Sequence, residues 1–132
     1  MFPPEALPQG LLTLEQAIAR MEGWYARGTV PNRPQRCNNP GDIEFGDFAR
    51  RFNATMSDGR FAIFPTPVDG WNCLKALVRE PQYRTLTLKD MVARYAPAVE
   101  NDDAVYASAV AHWTGRQITD PVSGMLGSLV EA

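Results

Sequence analysis

Thr13-Leu14-Glu15-Gln16-Ala17-Ile18-Ala19-Arg20-Met21-Glu22-Gly23-Trp24-Tyr25 is the stretch that decides the fold. Thr13 and Gln16 have the form of a capping box, an N-cap hydroxyl and a third-position amide, so a helix begins there. Leu14, Ala17, Ile18, Met21, Trp24 and Tyr25 recur at helical spacing and make one apolar face. Gln16, Arg20 and Arg27 point away from it. Glu22 falls at the margin, one turn after Ile18 and one turn before Tyr25. A carboxyl so placed is half desolvated, which favours the neutral form that a general acid needs. Trp24 lies roughly 200° round the helix from Glu22 and is assigned to the core.

Downstream, residues 28–36 are dense in Gly, Pro and Asn and predict an irregular surface loop. Asn38-Asn39-Pro40-Gly41 reads as a tight turn, with Pro fixing one φ and Gly supplying a positive one. Its Asn side chains can donate and accept hydrogen bonds, which suits amide and hydroxyl partners such as N-acetylated sugars. Phe52–Met56 and Arg60–Phe64 flank Ser57-Asp58-Gly59, a hairpin signal. Thr66-Pro67-Val68-Asp69 starts a second helix with Trp71, Leu74, Ala76, Leu77 and Val78 inward, running to about Glu80-Pro81. Thr87-Leu88-Lys89-Asp90 starts a third, with Met91, Val92 and Tyr95 inward and Pro97 as its stop. Asn101 or Asp102 caps a fourth, striped by Val105, Tyr106, Ala109, Val110 and Trp113 and ended by Gly115. Asp120-Pro121 opens a fifth carrying Val122, Met125, Leu126, Leu129 and Val130, weakened by Gly124 and Gly127. The expected fold is mainly α with a small β-hairpin: a Pro-rich arm over residues 1–12, then one domain over 13–132.

Composition narrows the function. The chain has 132 residues, 45% of them hydrophobic, with 13 basic and 15 acidic side chains for a net charge of −2. No basic cluster invites nucleic acid or an anionic membrane surface, and no apolar run approaches a membrane span. One histidine, His112, and two cysteines, Cys37 and Cys73, offer no metal-ligand spacing, and no cofactor signature is present. A Cys–His nucleophilic pair could be drawn from them, but buried, inert thiols fit better. The first ten residues lack a basic region and a continuous apolar core, so they do not read as a Sec signal.

Four stretches in order then carry a resemblance: Glu22-Gly23-Trp24; Asn38 to Asp42 with Ile43; Phe64-Pro65-Thr66-Pro67 with Gly70-Trp71; and Tyr95-Ala96-Pro97 with Asn101-Asp102 and Tyr106. Together, from about Ala17 to Gly115, they resemble the lysozyme-like superfamily of muramidases, glucosaminidases and lytic transglycosylases, closest to small phage structural or lytic proteins. The resemblance implies a lysozyme-like fold that cleaves the β-1,4-linked amino-sugar strand of peptidoglycan, with Glu22 as general acid/base. It implies that Asn38, Asn39 and Tyr106 hold the glycan and that Tyr95 lines the cleft. Asp42 stands where relatives often carry Asn. It is a candidate to hold a water, although an ordinary turn role is the better reading. With Glu44, Glu100 and Asp102 it makes up the candidates for a second carboxylate. With none of them opposite Glu22, the substrate's own acetamido oxygen serves as nucleophile. The alternative is an inert lysozyme-like component of a phage particle or tail, its arm touching other phage structural proteins. Either way, the protein is expected in the host cytoplasm until release, or on the virion.

Overall fold

The computed structural model describes residues 5–96 and 101–127. The expected stop at Pro97, the carboxylate of Glu100, and Leu129 and Val130 of the proposed last helix lie outside them. The described chain is mainly helical with one two-stranded antiparallel ribbon, the class expected.

Helix α1 spans Leu14–Glu22. Its start is the anticipated capping box: Gln16 N–H donates to Thr13 Oγ1 at 3.1 Å and Thr13 N–H to Gln16 Oε1 at 3.0 Å. Its end comes earlier than the apolar spacing suggested. Gly23 takes φ 100°, its N–H donates to Arg20 O, and Trp24 N–H reaches back to Ala19 O at 2.9 Å. That pair of bonds is a Schellman motif, closed by a left-handed glycine. Trp24 and Tyr25 therefore follow the helix instead of extending its stripe. Trp24 is nonetheless core, at 5% exposure.

The chain divides into two compact units. The first comprises the residues up to Pro8 and Ile18–Ala76. The expected irregular loop contains a one-turn helix, α2 (Arg33–Arg36), because Asn32 and Gln35 form a second capping box and Pro34 tolerates the first turn. Helix α3 (Asp47–Arg50) follows. Strands β1 (Met56–Ser57) and β2 (Ala62–Ile63) pair Met56 with Ile63 and Ser57 with Ala62, so the ribbon is shorter than the flanking sequence runs. Its loop is closed by Asp58, whose Oδ1 accepts from the amides of Phe61 at 2.8 Å and Arg60 at 3.2 Å. Helix α4 (Pro67–Val78) begins as read: Asp69 N–H donates to Thr66 Oγ1. The buried side chains of this unit include Ile18, Trp24, Ile43, Phe61, Phe64, Cys73 and Leu74.

The second unit comprises Gln9–Ala17 and the chain from Leu77 onward. A one-turn α5 (Pro81–Arg84), not anticipated, precedes α6 (Leu88–Tyr95) and α7 (Asp103–Thr114). Thr87 caps α6 through Asp90 N–H, and Asp102, not Asn101, caps α7 through Val105 N–H. The α6 amides of Leu88 and Lys89, which a helix start leaves without partners, donate to Asp120 O and Ile118 O. Gly115, at φ 69°, ends α7 in a second Schellman turn, with Arg116 N–H on Ala111 O. The buried stripe of α7 is Tyr106, Ala107, Val110, Ala111 and Thr114, while Val105 is 57% exposed, a rotation from the stripe expected. Within the described part of the last expected helix, Val122–Met125 form a single 3-10 turn and Leu126 is extended, as the glycine at 124 favours. Glu15, buried on α1, is paired with Arg79 at 2.7 Å, and Arg79 also donates to Gly127 O. Among the described residues no helix is long and apolar enough to cross a membrane.

Candidate functional site

Glu22 is the last residue of α1 and is half-buried. The turn that follows it is clamped by α2. Asn32 Nδ2 donates to Gly23 O at 2.8 Å, and Gln35 Nε2 donates to Trp24 O at 2.9 Å and Ala26 O at 2.7 Å. Three carbonyls of the turn after α1 are thus taken by two amide side chains, which fixes the direction in which the chain leaves Glu22. The sequence reading passed over this device, because Gly, Pro and Asn density marks a loop without showing what its amides will grip.

The same short helix organises the Asn-Asn-Pro-Gly-Asp loop. Asp42 N–H donates to Asn39 O at 3.1 Å, closing the expected turn. Left-handed backbone falls on Asn38 (φ 53°) and Asp42 (φ 51°), and Gly41 is not among the residues with positive φ. Asn and Asp are the non-glycine residues that best tolerate that region. Asn38, half-buried, donates from Nδ2 to Phe64 O at 2.9 Å. Asn39 is 0% exposed. Its Nδ2 donates to Ile43 O and Ala62 O and its Oδ1 accepts from Ile43 N–H, all at 2.9 Å. The expected glycan contact at Asn39 is therefore corrected: both donors and the acceptor pin the loop to the hairpin.

Asp42 is corrected in the same sense. Its carboxylate, 7% exposed, is gripped by the Arg33 fork, Nη2 to Oδ2 at 2.7 Å and Nε to Oδ1 at 3.2 Å. The Arg33 guanidinium also lies 3.9 Å from the Phe61 ring centre, and the bond from Asp42 holds its pKa above the ordinary value. The carboxylate thus serves as the partner of Arg33, while the backbone N–H of Asp42 closes the turn on Asn39 O. Of the other acids weighed as partners for Glu22, Glu44 is bonded to Arg60 and Asp102 caps α7.

The aromatic candidates belong to the second unit. Tyr106 is 2% exposed in the α7 stripe, so its ring is core and presents no face to a sugar, again correcting the expectation. Tyr95 is half-buried at the end of α6, edge-on to Tyr83 with ring centres 6.1 Å apart. Glu22, Tyr95 and Tyr106 all make interactions within the fold. Both thiols are buried; burial pushes Cys73 up to about 12 and raises Cys37, which fits inert cysteines.

A further cluster was not anticipated. Glu5, from the Pro-rich arm, accepts from the indole Nε1–H groups of both Trp24 and Trp71. Comparison with protein-family models, curated proteins and solved structures gave no match.

Proposed function

We propose that the chain cleaves the glycan strand of bacterial peptidoglycan, with Glu22 as general acid and then base, in the manner of the lysozyme-like superfamily its motifs resemble. The observation that carries this reading is the setting of Glu22, half-buried at the carbonyl end of α1 in a turn clamped by Asn32 and Gln35. A carboxyl held at a helix end with part of its surface withdrawn from water is placed as a general acid requires. Glu22 would protonate the oxygen bridging two N-acetylated sugars as the bond to the anomeric carbon breaks. Asp42, Glu44 and Asp102 are each bonded within the fold, Glu100 lies outside the described residues, and this reading takes the acetamido oxygen of the substrate as nucleophile. Glu22 would then deprotonate either water or the sugar's 6-hydroxyl, giving a hydrolytic or an anhydro product. Asn38, half-buried in the same unit as Glu22, remains the glycan contact of this reading. The enzyme would reach the wall from the host cytoplasm at release, or from a virion.

The commitment of Asn39, Asp42 and Tyr106 to the fold favours a second reading, a particle component that keeps the scaffold without turnover. Clearing of purified peptidoglycan by wild type and Glu22→Gln separates the two. Loss of about 10²- to 10⁴-fold in the variant is the size expected of a missing acid/base. Equal clearing by both proteins would remove Glu22 from the chemistry, and no clearing by either would leave the particle reading. Mass spectrometry of the fragments then distinguishes reducing from anhydro ends.

A further inference from the structure

Two indole N–H groups in the first unit converge on one oxygen, Glu5 Oε1, from Trp24 at 2.5 Å and Trp71 at 3.0 Å. The two rings meet edge to face with centres 6.1 Å apart. Trp24 is 5% exposed, so its N–H has little access to water and needs an acceptor on this side. Tyr25 belongs to the same surroundings: burial, and then the negative charge of Glu5, raise its phenol. Donors from two separate elements, the turn after α1 and the body of α4, thus define a small anion-accepting corner.

The described part of the segment that fills the corner lies mostly at the surface. Glu5 and Ala6 are exposed and Leu7 and Pro8 only half-buried. Two charge-assisted bonds, a strong type, are set against the ordering entropy of this short segment. We propose that the Trp24–Trp71 pair is a carboxylate-binding site and that the N-terminal segment is a displaceable plug, Glu5 occupying in cis the place of a ligand carboxylate. The site takes the carboxylate of an acidic chain or chain end, and it stands independently of the role of Glu22. A tethered competitor works at high effective concentration, so free carboxylate binds the plugged protein weakly and the unplugged protein well.

The test uses the full chain labelled with ¹⁵N, the indole N–H resonances of Trp24, Trp71 and Trp113, and acetate as the probe at constant ionic strength against chloride. In Glu5→Ala the Trp24 and Trp71 resonances move while Trp113 stays. Acetate returns them saturably, with a midpoint at least about tenfold below any response of wild type. Adding Trp71→Phe abolishes the return. If neither resonance moves in Glu5→Ala, Glu5 is not the acceptor and the proposal falls. If both move and acetate restores neither, the segment is a fixed tether and the proposal falls equally. Glu5→Gln, which keeps an amide oxygen, covers a Glu5→Ala chain that fails to fold. It should shift the same two resonances partway and still respond to acetate, and an absent response there overturns the site.

Discussion

Replacing Gly70 by alanine adds one methyl group where α4 passes the backbone of the Asn38–Pro40 loop. An ideal Cβ at Gly70 would stand 2.0 Å from Asn38 O and 2.8 Å from Pro40 Cδ, where ordinary contact begins at 3.4 Å. The nearest atom is a main-chain carbonyl, so no flexible side chain can swing aside. The loop is poorly placed to yield, since Asn39 pins it by three 2.9 Å bonds and Phe64 N–H donates to Cys37 O. Overpacking of this kind costs about 1–3 kcal/mol, and a backbone-on-backbone clash belongs at the top of that range. Helix propensity returns about 1 kcal/mol when Gly becomes Ala. The net expectation is a loss of roughly 2 kcal/mol, or about 6–10 °C in Tm for a chain of this length. Denaturant and thermal unfolding followed by circular dichroism measure it. Gly124→Ala is the control: among the described residues its Cβ meets nothing nearer than Pro121 Cγ at 3.9 Å. That change should be neutral or stabilising by about 0.4–1 kcal/mol through the unfolded chain. A Gly70→Ala protein as stable as wild type would mean that α4 does not seat on this loop, and the account of the Asn-Asn-Pro-Gly-Asp turn would go with it.

Other perturbations probe separate contacts. Asn39→Ala strands Ile43 N–H and Ala62 O, while Ile43 O keeps the bond from Ala62 N–H, and at about 1–3 kcal/mol for each unsatisfied group the loss should be at least roughly 2 kcal/mol in denaturant unfolding; unchanged stability with weakened glycan binding would restore a ligand role. Arg79→Ala leaves the Glu15 carboxylate, 7% exposed, without its partner and should cost about 3–5 kcal/mol, while the double change Glu15→Leu with Arg79→Met should recover most of that. The amides of Phe61 and Arg60 hold the Asp58 carboxyl below its ordinary 3.8. The charged form therefore favours the folded state above the unfolded value, and this contribution fades as pH falls through the folded one. Wild type should be more stable than Asp58→Asn at pH 7, and the gap should close as pH falls below the ordinary carboxyl value and through the lower folded-state one, in unfolding curves taken across pH.

The helix starts were legible because each is announced by a local hydrogen bond that the residue types require. Thr13 with Gln16, Thr66 with Asp69 and Thr87 with Asp90 all appear as read. The hairpin was legible for the same reason, since Asp58 and Gly59 satisfy their own turn. Helix ends were less so. Leu14 to Tyr25 keeps its apolar spacing straight through Gly23, and only the left-handed conformation of that glycine shows where the helix stops. Stripe assignment on α7 slipped because the helix is apolar on most sides, so period alone does not select Tyr106, Ala107 and Val110 over Val105. At the candidate site the difficulty is chemical. An Asn amide offers the same donors and acceptor to a backbone as to a sugar, and nothing local in Asn38-Asn39 says which will claim them. The partners of Asn39 include Ala62, and those of Glu5 are Trp24 and Trp71, all distant in sequence.

The Asn-Asn-Pro-Gly-Asp stretch illustrates how a motif suited to ligands can be given over to folding. Asn38 tethers Phe64 O, Asn39 joins the loop to β2 at Ala62, Pro40 lies against the glycine of α4, and Asp42 closes on Arg33. Besides the link to Phe64, just beyond β2, these contacts run to three elements, so the loop joins α2, β2 and α4 around one tight turn. Arg33 and Gln35 then connect that junction to the turn behind Glu22, because the same helix that forks Asp42 also grips the carbonyls of Trp24 and Ala26. A loosened loop should therefore be felt at Glu22 through α2 without any contact between the two. On this view Asn39, Pro40, Gly41 and Asp42 orient the carboxyl, and of the five only half-buried Asn38 is left to touch the substrate. Their substitution should lower turnover and stability together, whereas Glu22→Gln should lower turnover alone.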